Sequence, residues 1–372
     1  MYDHSITPRA EDPSLIEPRT FGWHSLIPAR YPVLLPELNM ASEEDYVARF
    51  QAFVLKLKRN LDPERVELQG LEHRRGMILG KTAYRRRAAE LGLSRLEHED
   101  LLQVKRLARD GAVLHGPRTE HHADELAAAL HAESPWMSDI GTFLTRAMRS
   151  AANSGLSGLT LPPMILVGPP GCGKSHYARK LGELAGTPVR QIDVGSGTSA
   201  HRVAGTEKGW SSRQSGVPTE TVLDRKVANP VMVVDEIDKA GTIYLAKGSP
   251  SSLITALLTF LEPSTAKVFE CPSLRVTFDL SRVNWVLTAN VLEDIPAVLR
   301  DRCRVFLMPE VTPGVAGMMV DAMARDFPQL DAETLSVVRR EVTRTAARGK
   351  MSLRIIRRIL EDVSRPPGLL LH

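Results

Sequence analysis

Met164-Ile165-Leu166-Val167 runs directly into Gly168-Pro169-Pro170-Gly171-Cys172-Gly173-Lys174-Ser175, and a helical pattern follows from Lys174 to Ala185. An apolar run of strand length, then G-x-x-x-x-G-K-[ST], then a helix is a strand–loop–helix unit built for phosphate. Its glycines let the backbone wrap the anion, so that amide hydrogens and the helix N-terminus face the negative charge. An ordinary glycine-rich turn is the plainer alternative, and the strand before the loop and the helix after it argue against that. Nucleotide contacts are therefore expected along Gly168, Pro169, Pro170, Gly171, Cys172, Gly173, Lys174, Ser175 and His176. Lys174 is assigned to the β- and γ-phosphates and Ser175 to Mg²⁺.

Downstream, Val231-Met232-Val233-Val234 ends in Asp235-Glu236. Two carboxylates could simply be a polar strand terminus. With a phosphate loop upstream they gain a purpose, because such a site needs one carboxylate near Mg²⁺, here Asp235, and a group to orient the attacking water, here Glu236. Other short β-rich runs, at Val189 to Val194, Trp285 to Thr288 and Val305 to Met308, alternate with helical stretches. That alternation predicts a parallel sheet with helices on both faces. After Pro309 the strands stop, and stretches near 312–325, 332–347 and 352–363 predict a small all-helical lid.

The loop, Asp235-Glu236-Ile237-Asp238-Lys239, Thr288-Ala289-Asn290, and Ile295-Pro296-Ala297 through Leu299-Arg300-Asp301-Arg302 together resemble the AAA+ ATPase module, and within it most closely the ATPase of the Lon protease family. Asp279-Leu280-Ser281-Arg282-Val283 and Leu261-Glu262-Pro263 add to the likeness, which covers about residues 130–362 in order. The resemblance implies ATP hydrolysis with Mg²⁺ in a homo-oligomeric, hexameric ring. It implies Asn290 as a polar sensor beside the γ-phosphate, Arg302 as an arginine finger reaching a neighbouring subunit, and Arg354 in Ser352-Leu353-Arg354-Ile355 as a second sensor on the lid. Read without the family, Asn290 caps a segment, Arg302 pairs at the surface with Asp301 or Asp294, and Arg354 belongs to a basic helix face. Gly205-Thr206-Glu207-Lys208-Gly209-Trp210 aligns with the Lon segment carrying an aromatic pore residue, although Ser211 follows where an apolar residue is usual. Trp210 is thus either a pore-loop grip on protein clients or a packed core residue, and Tyr244 is open to the same two readings.

Residues 1–40 hold six prolines and read as an extended arm. From Ser42, a plausible N-cap, Val47, Phe50, Phe53, Val54 and Leu57 fall on one apolar helix face. The chain divides in this reading into a proline-rich arm at 1–40, a helical N-terminal domain at 41–120, an α/β nucleotide-binding core at 121–310 and a helical lid at 311–372. A Lon-type peptidase is not expected, since the chain stops at His372 soon after the lid. Composition agrees with a chain that buries a sizeable core: 372 residues are 43% apolar, and 48 basic against 44 acidic side chains leave only +4. That charge makes nucleic acid a possible partner without indicating it. Three scattered cysteines suit a reducing, cytoplasmic setting, and no apolar run reaches the about eighteen residues of a membrane span. A motor that remodels or threads proteins is the first functional expectation. A nucleic-acid-associated ATPase or loader and an ATP-gated assembly scaffold are the alternatives.

Overall fold

The computed structural model describes residues 21–25, 27–60, 63–64, 67–194, 199–206, 214–240, 253–349 and 351–365. Its strands are β1 (Ala29–Tyr31), β2 (Ala112–Leu114), β3 (Met164–Val167), β4 (Val189–Asp193), β5 (Val231–Asp235), β6 (Phe269–Cys271), β7 (Val276–Phe278), β8 (Asn284–Ala289) and β9 (Arg304–Leu307). Five of them form one parallel sheet in the order β4-β5-β8-β3-β9. The registers set Val167 opposite both Ala289 and Leu307, and Asp193 opposite Asp235, so the C-terminal strand ends share one edge.

The central strands are buried on both faces, as helix-covered parallel strands must be. Val231, Met232, Val233 and Val234 have no exposed surface. Their period of two divides the core. Ile165, Val167, Met232, Val234 and Leu287 belong to one apolar cluster, while Met164, Leu166, Val231, Val233 and Val286 join a second with Tyr177 and Leu181 of the helix Lys174–Ala185. The lid helices Pro313–Met323, Ala332–Ala346 and Leu353–Ser364 pack into that second cluster through Met319, Val342 and Ile356. Thr312, Asp331 and Ser352 cap them, each side chain accepting a first-turn backbone N–H.

Ser42 caps the helix Glu43–Arg59 as anticipated, in a reciprocal box with Asp45. The apolar face foreseen on it is covered only in part: Val47, Phe50 and Val54 are half-buried, nothing on that helix is fully buried, and Phe53 and Leu57 are 57% and 49% exposed. This helix packs against Gly70–Glu90, where Gly76 and Gly80 admit its backbone. A Cβ on Gly80 would lie 2.5 Å from Val47 Cα. Beyond the hairpin, Leu93, Val104 and Leu107 share the first apolar cluster with the sheet.

Two small antiparallel pairs had no sequence expectation. β1 pairs with β2, and β6 pairs with β7. Leu34 bridges to Phe278, and the Asp279 N–H donates to Val33 O at 2.8 Å, so the early chain is laid along the β6–β7 hairpin. The alternation Phe269-Glu270-Cys271 and Val276-Thr277-Phe278, buried on Phe269, Cys271, Val276 and Phe278, was the legible signal. No helix among the described residues is long and apolar enough to cross a membrane.

Candidate functional site

A cleft of about 500 Å³ lies at the C-terminal edge of the sheet, between the phosphate loop and the lid. Gly171 and Gly173 stand at φ +78° and +106°, in the left-handed region that glycine enters without strain. At Gly171 the absence of a side chain is also steric, since a Cβ would lie 2.4 Å from Ser352 Cβ. The lid closes on the loop there: Leu353 N–H donates to Gly171 O at 2.7 Å. From the other side the buried Trp136 indole N–H donates to Cys172 O at 3.3 Å.

Lys174 starts the helix and is only 8% exposed. Its three ammonium hydrogens meet Gly168 O at 2.6 Å, Pro169 O at 3.1 Å and Asn290 Oδ1 at 3.0 Å. Desolvation pushes the Lys174 pKa down, opposed by the nearby Asp238, Asp235 and Glu236. Ser175 Oγ donates to Asp235 Oδ1 at 2.7 Å, and Thr288 Oγ1 donates to the same oxygen at 2.9 Å. Gln191 Nε2 donates to Asp235 Oδ2. Glu236 has φ 61°, a left-handed conformation that costs a non-glycine residue about 1–2 kcal/mol. Its N–H donates to Thr288 Oγ1 at 3.2 Å, and its carboxylate is ion-paired with Lys239 at 2.5 Å.

Lys174, Ser175, His176, Asp235, Glu236, Asn290 and Arg354 all line the cleft, with Pro170, Gly171 and Gly173. Gly168 and Pro169 sit behind it as acceptors for Lys174, and Cys172 is buried beneath. Burial, with the charges of Lys180, Arg179 and Arg357, lowers the His176 pKa to about 4, so its imidazole is neutral at pH 7. Arg302 stands apart: it is exposed, outside the cleft lining, and donates to Val298 O at 3.1 Å. Trp210 and Tyr244 lie outside the described residues. The described residues on either side of 207–213 meet, with Gly205 bridged to Ser215 and Thr206 N–H donating to Gln214 O at 2.9 Å.

Sequence reasoning missed Gln191, Thr288, Arg179 and Arg357 as cleft-lining residues. Each had a signal. Gln191 alternates with buried Ile192 on β4, Thr288 precedes Asn290 by two strand positions, and Arg179 and Arg357 lie four and three residues along helices from Ser175 and Arg354.

Residues 164–310 match the family model described as ATPase family associated with various cellular activities (AAA). Lon protease of Desulfovibrio desulfuricans is 35% identical over 151 residues, which are 41% of this chain and 17% of that protein. Lon protease of Desulfosudis oleivorans is 32% identical over 208 residues, 56% of this chain and 24% of that protein. The peroxisomal Lon protease homolog 2 of Oryza sativa subsp. indica is 36% identical over 152 residues, 41% of this chain and 17% of that protein. The chain thus spans about a fifth of the length of these curated relatives. With a five-stranded parallel sheet, a phosphate loop leaving β3 and a carboxylate pair leaving β5, residues 164–310 are an AAA-family ATPase domain related to the ATPase region of Lon proteases.

Proposed function

We propose that the protein binds ATP with Mg²⁺ in this cleft and hydrolyses it. The observation that carries the reading is the closed chain of contacts from Ser175 through Asp235 to Thr288, beside Lys174 on Asn290, with Glu236 at the same edge. The oxygen donors of Ser175 and Asp235 fit a hard divalent cation, and these two residues would hold it. When bound, Mg²⁺ supplies neutralising charge to the phosphate oxygens. Lys174 would exchange its carbonyl acceptors for β- and γ-phosphate oxygens. Glu236 would leave Lys239 to orient water, while Asn290 and Arg354 present donors to the terminal phosphate.

The chain is read as an arm to residue 40, a helical segment at 41–120, a nucleotide-binding core at 121–310 and a lid from 311. Assembly as a ring, hexameric by family resemblance, would bring Arg302 to a neighbour's cleft, where a planar fork of donors suits phosphate oxygens. Relatives named Lon protease support a protein client, remodelled or threaded by way of Trp210. The test compares wild type, Lys174→Ala and Glu236→Gln by equilibrium ATP binding and phosphate release, with an unfolded protein, DNA or RNA added. Lys174→Ala should not bind, and Glu236→Gln should bind without turnover. Normal turnover by Glu236→Gln would remove Glu236 from its role, and stimulation by nucleic acid alone would replace the protein client.

A further inference from the structure

Asp238 belongs to none of the roles above, yet it is 9% exposed and sits in the one-turn helix Ile237–Lys239 directly after Glu236. Its Oδ2 accepts the backbone N–H of Asn290 at 2.9 Å and that of Val291 at 3.3 Å. Its Oδ1 is buried with no hydrogen-bond partner among the described residues. A carboxylate in such a place is costly, since half its acceptor capacity goes unused away from water.

What it holds explains the cost. The parallel ladder stops short of Asn290: β3 pairs with β8 only as far as Ala289, and β5 only as far as Leu287. The strand therefore does not fix the orientation of the Asn290 backbone, although its side-chain Oδ1 must meet Lys174 at 3.0 Å. We infer that Asp238 is a positioning residue: by tying the Asn290 and Val291 amides to the turn that begins at Glu236, it holds the Asn290 side chain in place relative to that turn. The inference rests on the ATPase reading, in which the Asn290 side chain faces the terminal phosphate. It gives the buried acidic residue a task in turnover, as distinct from nucleotide binding, which the loop performs through Lys174 and its own amides.

The experiment uses the full chain and counts turnover per ATP-bound chain, so that unfolded protein does not enter. Asp238→Ala removes the one oxygen that accepts both amides and should lower kcat about 10- to 100-fold, the worth of hydrogen bonds to a charged acceptor, while ATP affinity moves less than about threefold. Asp238→Asn keeps an acceptor oxygen for both amides and should stay within about threefold of wild-type kcat. In an Asn290→Ala background, Asp238→Ala should cost less than about twofold more, because its effect passes through Asn290. Undiminished kcat in Asp238→Ala, a loss in Asp238→Asn as deep as in Asp238→Ala, or full additivity with Asn290→Ala would each overturn the inference. Wild-type turnover separates the two levels. Its absence sinks the ATPase reading and this inference together, whereas wild-type turnover with an unaffected Asp238→Ala sinks this one alone.

Discussion

Two asparagines show how the same side chain faces a cleft in one place and braces the scaffold in another. Asn290 points its Oδ1 at Lys174 in the cleft. Asn229 is fully buried, accepts the His115 N–H at 3.0 Å, and donates to His115 O at 2.7 Å and Leu159 O at 3.0 Å. Asn284 completes the network by donating to Leu159 O and Asn229 O and accepting the Leu161 N–H at 2.9 Å. Together they fasten the turn that follows β2 to the segment that leads into β3. Asn229→Leu keeps the volume and strands those backbone groups, so it should cost about 3 kcal/mol by lowering the urea midpoint at unchanged m. A loss below about 1 kcal/mol would mean that water replaces the amide there.

The helical hairpin of Glu43–Arg59 and Gly70–Glu90 is held differently from the core. Its closest approach is at Gly76 and Gly80, against Gln51 and Val47, so the periodic face is split: Val47, Phe50 and Val54 are half-buried while Phe53 and Leu57 face outward. Gly80→Ala sets the new Cβ against Val47 Cα and N at 2.5 and 2.8 Å, backbone atoms that move only if the helices part. Alanine gains about 1 kcal/mol of helix propensity, which the overpacking of about 1–3 kcal/mol should offset or exceed. Hydrogen exchange across 43–90 should accelerate. Phe53→Ser, at a residue 57% exposed, should change the melting temperature little and stability by less than about 0.5 kcal/mol. A large loss there would show that another surface covers Phe53 in solution. The hydrophobic period located the helix correctly, because local sequence sets it. It could not say which residues of the face would be covered, because Gly76 and Gly80 on the second helix decide where the two backbones come close.

The fold as a whole is latched by chain from before the hairpin. Phe21 stacks on Trp23 with ring centroids 5.1 Å apart, Trp23 stacks on His122 at 5.8 Å, and His24 reaches Gly186 at the end of the phosphate-loop helix. Burial lowers the His24 pKa, opposed by a backbone hydrogen bond at Leu184; burial, then the charges of His24 and Arg118, lowers that of His115. Both imidazoles thus bind protons less well in the folded chain than an ordinary imidazole, which titrates at about 6.5. Their contribution to stability is complete above that value and is lost as pH falls through their folded pKa values. The melting temperature should fall from pH 7 toward acid, and His24→Gln with His115→Gln should flatten that fall. An equally steep fall in the double variant would assign it to other groups. Arg302 gives the test of assembly, since it faces solvent outside its own cleft. Arg302→Ala chains should bind ATP yet hydrolyse little, and mixing them with Lys174→Ala chains should restore activity at interfaces pairing an intact finger with an intact loop. Activity that follows chain content alone would count against a shared site.

The phosphate loop, the strand ending in Asp235-Glu236 and the three lid helices were legible without coordinates. Each is a contiguous run whose propensity, periodicity and capping act within one or two turns of chain. The match of β3, Met164–Val167, to the apolar run before the loop shows how local that information is. Tertiary structure decided the rest. Pairing of β1 with β2 and of Leu34 with Phe278, the union of Leu93, Val104 and Leu107 with the sheet core, and the bond from Asp238 to Asn290 all join residues far apart in sequence. No local pattern specifies them, because the free energy of such a contact depends on which buried groups would otherwise be left unpaired, and that is settled only when the chain closes on itself.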